Sequence, residues 1–89
     1  VDRTEDSYPD NNFDKVEDGL YVGGMSSNPP KGVRVVLNVC EAKDQFKVKF
    51  HRWEPIPDLG PAPKLDWLKQ QVEFIDEHRK AGEPVFVHC

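Results

Sequence analysis

The sequence lacks several features that mark whole classes of protein. It contains no apolar run near the ~20 residues that a membrane-spanning helix needs. Its start, Val1-Asp2-Arg3-Thr4-Glu5-Asp6, has neither the basic residues nor the apolar centre of a secretion signal. There is no basic excess, because 12 Lys and Arg stand against 16 Asp and Glu, for a net charge of -4. We therefore expect a cytoplasmic protein that binds neither membranes nor nucleic acid.

Cysteine is scarce as well. The chain has 2 cysteines, Cys40 and Cys89, which lie far apart in the sequence. They form no CxxC pair, and no His/Cys cluster has the spacing of a zinc site. The sequence therefore indicates neither a disulfide scaffold nor a structural metal.

The length of 89 residues is enough for one domain with a modest core. Hydrophobic residues make up 37% and charged residues 31%, a balance typical of soluble globular proteins. Residues 1–12 are acidic and polar and contain Pro9, so we interpret them as an N-terminal arm. Residues 13–89 are then the domain itself.

Apolar patterning predicts three strands in the first part of this domain. A turn signal at Asp18-Gly19 precedes a short strand over residues 20–22. Residues 33–40 are nearly continuous in β-branched side chains and predict a central parallel strand. Residues 50–55 alternate apolar and polar side chains and predict a short strand. The charged segment 41–49 is interpreted as a solvated connection, with a substrate-facing loop as the alternative.

The second part predicts a helix and a final strand. Pro63 and Gly82 bracket a segment in which four apolar residues recur at helical spacing and predict a core-facing stripe: Leu65, Leu68, Val72 and Ile75. Trp67 and Phe74 widen this apolar face. The run Val85 to Cys89 is then a strand, so strand, helix and strand form a βαβ unit with parallel strands. We predict an α/β fold with a central, mostly parallel sheet flanked by helices.

Two residues near the expected carboxyl edge of this sheet are candidates for chemistry. Cys89 ends the apolar strand, where it is either a buried small hydrophobe or a reactive thiol. Asp58 lies in a proline-stiffened loop, where it is either a turn residue or a proton donor. The helix between them returns the chain to the same edge, so the two residues can meet. His88, taken alone, is more typical of a packed or hydrogen-bonded residue than of a base.

The order of four motifs resembles the dual-specificity and related cysteine phosphatases over residues 13–89. The motifs are Gly19-Leu20-Tyr21-Val22-Gly23, Val35-Val36-Leu37-Asn38-Val39, Pro55-Ile56-Pro57-Asp58 and, after the helix, Val85-Phe86-Val87-His88-Cys89. The resemblance implies a phosphatase-like fold that is incomplete in this chain. It also implies a phosphorylated protein or another phosphomonoester as substrate, and neither a metal nor an organic cofactor.

The resemblance implies a role for each candidate residue. Cys89 would be the nucleophile that attacks phosphorus, and Asp58 the acid that protonates the leaving oxygen. His88 would tune the thiolate through hydrogen bonds. Cys40 is placed as in relatives where a second cysteine forms a reversible disulfide with the nucleophile, and a buried inert thiol is the alternative.

The resemblance is broken after Cys89. The family signature continues with a glycine-containing loop, an arginine and a Ser or Thr, which hold the phosphate through main-chain N–H groups and a guanidinium fork. We expect this segment of the domain to be missing from the sequence or to exist as a separate chain. We also expect the 89-residue chain by itself to be inactive.

Two other functions remain open. The chain is alternatively a phosphatase-like module that binds phosphate without turnover. A rhodanese-like sulfurtransferase also sets a cysteine in a loop after a strand, although that family does not call for the acid loop with Asp58.

Overall fold

One mixed sheet and one helix make up the described part of the chain. The computed structural model describes residues 13–24, 27–56 and 60–89. In chain order these form strands β1 (Phe13–Glu17), β2 (Leu20–Gly23), β3 (Val35–Asn38) and β4 (Phe50–Trp53), helix α1 (Leu65–Lys80) and strand β5 (Val85–His88). The sheet order is β1-β2-β5-β3-β4. Strands β2, β5, β3 and β4 are mutually parallel, and β1 is antiparallel to β2.

The α/β class and the mostly parallel sheet agree with the sequence-based prediction. Strand β3 lies between β4 and β5 and is parallel to both, so the βαβ connection through α1 passes over one intervening strand. Of the expected flanking helices, the described residues contain α1, which lies on one face of the sheet, and an irregular segment covers the other face. The predicted arm, residues 1–12, lies outside the described residues.

Strand β1 is absent from the sequence-based prediction. It pairs with β2 as a hairpin, and Gly19 takes a φ of 79° in the connecting turn. Four of its five residues are exposed, so its sequence lacks the apolar pattern that a buried strand shows. Arg79, far along the chain, also holds the hairpin. Its guanidinium donates to the Asp18 carbonyl oxygen at 2.8 Å and lies 2.6 Å from the Glu17 carboxylate.

The core is centred on β3 and β5. All four residues of β3 are buried, as are three of the four in β5, because the two neighbouring parallel strands cover their edges. Phe86, the largest fully buried side chain, packs with Val36 on one face of the sheet. Burial on both faces explains why the β3 region reads as a nearly continuous apolar run.

The helix α1 packs through a different face from the one that the sequence predicted. Leu65, Leu68 and Val72 are 65%, 45% and 54% exposed, so the predicted core stripe is wrong for these three residues, whereas its fourth member, Ile75, is half-buried. The helix instead meets β4, where the Phe50 and His78 rings lie 4.6 Å apart. Apolar residues occupy two stripes of this helix, and the partners offered by the sheet decide which stripe is covered. None of the helices in the described ranges is long and apolar enough to cross a membrane.

The packed face of α1 carries the two aromatic residues that were expected to join the core. Phe74 lies under the Arg52 guanidinium at 5.0 Å and beside the His78 ring at 4.8 Å. Trp67, about two turns earlier in the helix, is half-buried. Gln71, which lies between the two aromatic residues, is 5% exposed. Phe74 packs against the sheet as expected and Trp67 is half-buried, but neither widens the predicted stripe, most of which is exposed.

The segment after β3 covers the second face of the sheet. Phe46 and Val48 pack against the cluster formed by Val36 and Phe86. The interpretation of residues 41–49 as a solvated connection is therefore wrong for these side chains, although Glu41, Ala42 and Lys43 are exposed. The segment covers the core because its two apolar residues face the sheet.

Candidate functional site

The carboxyl ends of β3 and β5 lie side by side and define the candidate site. Asn38 and His88, the last residues of these strands, are register partners. The Val39 N–H donates to the His88 carbonyl oxygen at 3.0 Å and prolongs the pairing by one residue. Open parallel sheets place reactive groups beyond this edge.

Cys89 follows β5 directly and is exposed. Its amide N–H donates to the Gly23 carbonyl oxygen at 3.3 Å, which ties it to the end of β2. Cys89 therefore lies at the edge of the sheet where the carboxyl ends of β2, β3 and β5 meet.

His88 is buried, with 3% of its surface exposed. Its ring stacks on the Phe86 ring at 5.4 Å with an interplanar angle of 11°. Its Nε2 atom lies 2.6 Å from Oδ2 of Asp44, whereas Nδ1 is buried and has no hydrogen-bond partner among the residues that the structure describes. The imidazole thus makes one strong polar contact and leaves one nitrogen unsatisfied.

Asp44 connects two histidines across the sheet. Its Oδ1 lies 2.5 Å from Nε2 of His51 on β4 and accepts a hydrogen bond from the Phe46 N–H at 3.3 Å. Burial raises the pKa of the Asp44 carboxyl, but the hydrogen bonds from His88, His51 and the Phe46 N–H together outweigh it, so the pKa lies below its ordinary value. Asp44 is therefore a carboxylate at neutral pH.

Neither Asp44 nor His51 is a candidate site residue by sequence pattern. His51 and His88 fall on the same face of the sheet once the register of β3, β4 and β5 is known, and this shared face is one signal for the site. The other was the pair Phe46 and Val48 within a charged segment, which indicates that part of that segment turns inward. Neither signal reveals the contact without the register.

Cys40 lies in a tight turn after β3. Asn38 shapes this turn, since its Oδ1 accepts from the Cys40 N–H at 2.8 Å and its Nδ2 donates to the Ala42 carbonyl oxygen at 3.1 Å. The indole N–H of Trp53 donates to the Cys40 carbonyl oxygen at 2.8 Å. Cys40 is buried, with 3% exposed, and it follows the strand next to the one that Cys89 follows.

Asp58, the predicted acid, lies outside the described residues. The chain just before it is held at the same edge of the sheet, because the Glu54 N–H donates to the Asn38 carbonyl oxygen and the Ile56 N–H to the Val39 carbonyl oxygen, at 2.9 and 3.0 Å. Within the described ranges, no group of three or more His, Cys, Asp and Glu side chains is arranged to hold a metal ion.

An exposed cysteine beyond a central parallel strand is consistent with an α/β protein whose site lies at the carboxyl edge of its sheet. No protein-family model matches the chain. Over 60 residues the chain is 30% identical to the dual specificity protein phosphatase 1-A of Xenopus laevis. This stretch is 65% of the chain and 16% of that relative, so the chain spans about a sixth of the relative's length. The similarity supports a relation to dual-specificity phosphatases and assigns no role to any single residue.

Proposed function

We propose that this chain is the nucleophile-bearing part of a cysteine-dependent phosphoprotein phosphatase. The observation that carries the proposal is the position of Cys89 directly beyond β5, at the edge where parallel sheets place their sites. The similarity to a dual specificity phosphatase supports the same class of reaction. The proposed substrates are phosphotyrosine and phosphoserine or phosphothreonine side chains of proteins, in the cytoplasm.

The proposed reaction has two steps. The Cys89 thiolate attacks phosphorus, a sulfur–phosphorus bond forms, and the bond from phosphorus to the leaving oxygen breaks. Asp58 donates its proton to that oxygen, which leaves as an alcohol or a phenol. Asp58 then takes a proton from water, which attacks the cysteinyl phosphate, releases inorganic phosphate and restores the thiolate.

Binding of the phosphate requires donors beyond those of Cys89 itself. We propose that main-chain N–H groups and an arginine from the remaining segment of the phosphatase domain supply them. The 89-residue chain without that segment is therefore proposed to be inactive. Turnover of a phosphopeptide by the isolated 89-residue chain would contradict this part of the proposal.

The proposal is tested by phosphopeptide hydrolysis with the complete protein and two variants. Cys89→Ser removes the nucleophile and should abolish turnover. Asp58→Ala removes the acid and should slow substrates with alkyl leaving groups more than those with good leaving groups, because only the former need protonation. Equal activity of wild type and Cys89→Ser would overturn the proposal.

The same preparations separate the alternative functions. Phosphate binding without turnover by wild type would indicate a binding module. A trapped phosphate adduct on Cys89, detected by mass spectrometry of the quenched reaction, supports the phosphatase. A persulfide mass shift on Cys89 after incubation with thiosulfate would instead indicate sulfur transfer.

A further inference from the structure

The helix α1 covers its face of the sheet unevenly. A row of register partners, whose side chains share that face, crosses it from β4 to β2 and consists of Arg52, Leu37, Val87 and Val22. The Arg52 guanidinium lies 5.0 Å from the Phe74 ring of α1, and Leu37 is 1% exposed. Val87 is only half-buried, and Val22 is 41% exposed. Within the described part of the chain, the β4 and β3 half of this face is therefore covered and the β5 and β2 half is open.

The exposed apolar stripe of α1 borders the open half. Leu65, Leu68 and Val72 are 65%, 45% and 54% exposed, and they recur at the spacing of one helix face. The same spacing, continued for two more steps, leads to Arg79. The Arg79 guanidinium donates to the Asp18 carbonyl oxygen at 2.8 Å, in the turn that precedes β2. Because the side chain at the end of the stripe reaches this turn, the stripe faces the β2 side of the sheet.

The stripe and the open half of the sheet together form an apolar groove. Val22 and Val87 lie on its floor, and the stripe of α1 forms its wall. The contact between Arg79 and Asp18 closes the groove at one end. A surface made of two apolar walls at an angle is the kind that a further layer of secondary structure covers in α/β proteins.

The dimensions of the groove fit a second α-helix. Packed helices lie about 8–10 Å apart, which is about two strand spacings of ~4.8 Å. Because α1 lies over β4 and β3, a helix beside it lies over β5 and β2. At about 1.5 Å per residue, the wall from Leu65 to Arg79 is about 21 Å long, which accommodates roughly four turns of helix.

We propose that this groove is the docking surface for an amphipathic helix from the remaining segment of the phosphatase domain. The source of the helix rests on the proposed function, whereas the groove does not. Cys89 leaves the sheet from β5, two residues beyond Val87 on the groove floor. A helix that follows a parallel strand through a short connection packs back onto the sheet, so a segment that follows Cys89 reaches the groove directly. Its apolar side faces the stripe and Val22, and its polar side faces water.

Alkylation of introduced cysteines in the complete protein tests whether the stripe is covered. Leu68→Cys places a thiol on the stripe, and Glu73→Cys places one at an exposed position on another side of the same helix. Iodoacetamide at neutral pH should modify Leu68→Cys more slowly than Glu73→Cys by roughly tenfold or more, because a covered thiol reacts only when its cover opens. Peptide mass spectrometry measures both rates. Val72→Cys serves if Leu68→Cys does not fold, and equal rates on and off the stripe would overturn the proposal.

A photo-crosslink identifies what covers the stripe. Benzoylphenylalanine incorporated in place of Leu65 in the complete protein should cross-link to residues beyond Cys89 of the same molecule. The yield should not change when the protein is diluted. A cross-link to any other part of the chain, a cross-link to a second copy that is lost on dilution, or the absence of a cross-link would overturn the proposal.

These measurements do not depend on phosphatase turnover. A cross-link to residues beyond Cys89 in a complete protein that fails the hydrolysis assay would remove the proposed function and leave the docking surface in place. Normal turnover with a freely alkylated stripe would do the reverse. Since the described part of the 89-residue chain leaves the groove open, the stripe contributes to stability through the docked helix only in the complete protein.

Discussion

Gly23 on β2 and Phe86 on β5 approach each other so closely that no side chain fits between them. A Cβ added to Gly23 would lie 2.8 Å from the Cε1 and Cζ atoms of the Phe86 ring, and as close to the Cβ of Ser27. Gly23 also accepts the hydrogen bond from the Cys89 N–H. The position of the candidate nucleophile therefore depends on a glycine at this point of β2.

Gly23→Ala should lower the free energy of unfolding by about 1–3 kcal/mol, because the Phe86 ring or the strand must shift to admit the methyl group. Urea denaturation followed by tryptophan fluorescence measures the loss. Gly24→Ala is the matched control, since a Cβ there would lie at an ordinary 3.6 Å from the Cys89 carbonyl oxygen. Equal losses in the two variants would contradict the close approach.

The lowered pKa of Asp44 makes the stability depend on pH in the acidic range. The unfolded chain binds a proton at a higher pH than the folded chain, so this contribution is present above the ordinary carboxyl pKa of ~3.9. It is lost as the pH falls through the folded value. We therefore expect the free energy of unfolding to fall as the pH is lowered from about 5.

The pH dependence is assigned to Asp44 by comparing variants in urea denaturation across this range. Asp44→Asn should be less stable than wild type at neutral pH, by about 1–3 kcal/mol because His51, His88 and the Phe46 N–H lose a charged partner. Its stability should vary less between pH 5 and lower pH. Asp76→Asn, which changes an exposed carboxylate on α1, should retain the wild-type profile.

The two apolar stripes of α1 should differ in their contribution to stability. Phe74→Ala removes a ring that packs against Arg52 and His78, and should cost about 1–3 kcal/mol. Leu68→Ala, on the exposed stripe, should change the stability by less than about 0.5 kcal/mol. Thermal unfolding of the two variants gives the comparison. A larger loss in Leu68→Ala than in Phe74→Ala would show that the stripe predicted from periodicity is the packed one.

Cys40 and Cys89 should form a disulfide under oxidation. They follow the neighbouring parallel strands β3 and β5, and paired strands lie about 4.8 Å apart, which is less than the roughly 7 Å limit on the Cα separation of a disulfide. Hydrogen peroxide takes two electrons from the two thiols, a sulfur–sulfur bond forms, and two waters are released. Peptide mapping without reductant should find the Cys40–Cys89 link in the complete protein.

Cys40→Ser is the control for this reaction. Without Cys40, oxidation of Cys89 should proceed to the sulfinic acid, which is not reversed by a thiol reductant. Recovery of wild-type Cys89 as a sulfinic acid with Cys40 still a thiol would show that Cys40 does not protect it.

Predictions from sequence were accurate where local pattern and burial coincide. The apolar runs that became β3 and β5 are buried on both faces or nearly so, and the helical spacing between Pro63 and Gly82 gave α1 within a few residues at each end. The face of α1 was not predictable, because two apolar stripes share one helix and only contacts with Phe50 and Arg52 distinguish them. Strand β1 was not predicted because most of its residues are exposed and show no apolar alternation typical of a buried strand.

The amino-acid sequence by itself determined strands β2 to β5, the helix and the placement of Cys89 after a β run, because these depend on neighbours in the chain. Only the tertiary structure decided that Asp44 meets His51 and His88, since those contacts span the connection before β4 and the whole of α1. A carboxylate in a charged segment looks solvated until the sheet register brings two imidazoles to one side of it. The hydrogen bonds that lower the pKa of Asp44, against the opposite effect of burial, are a property of that assembled surface.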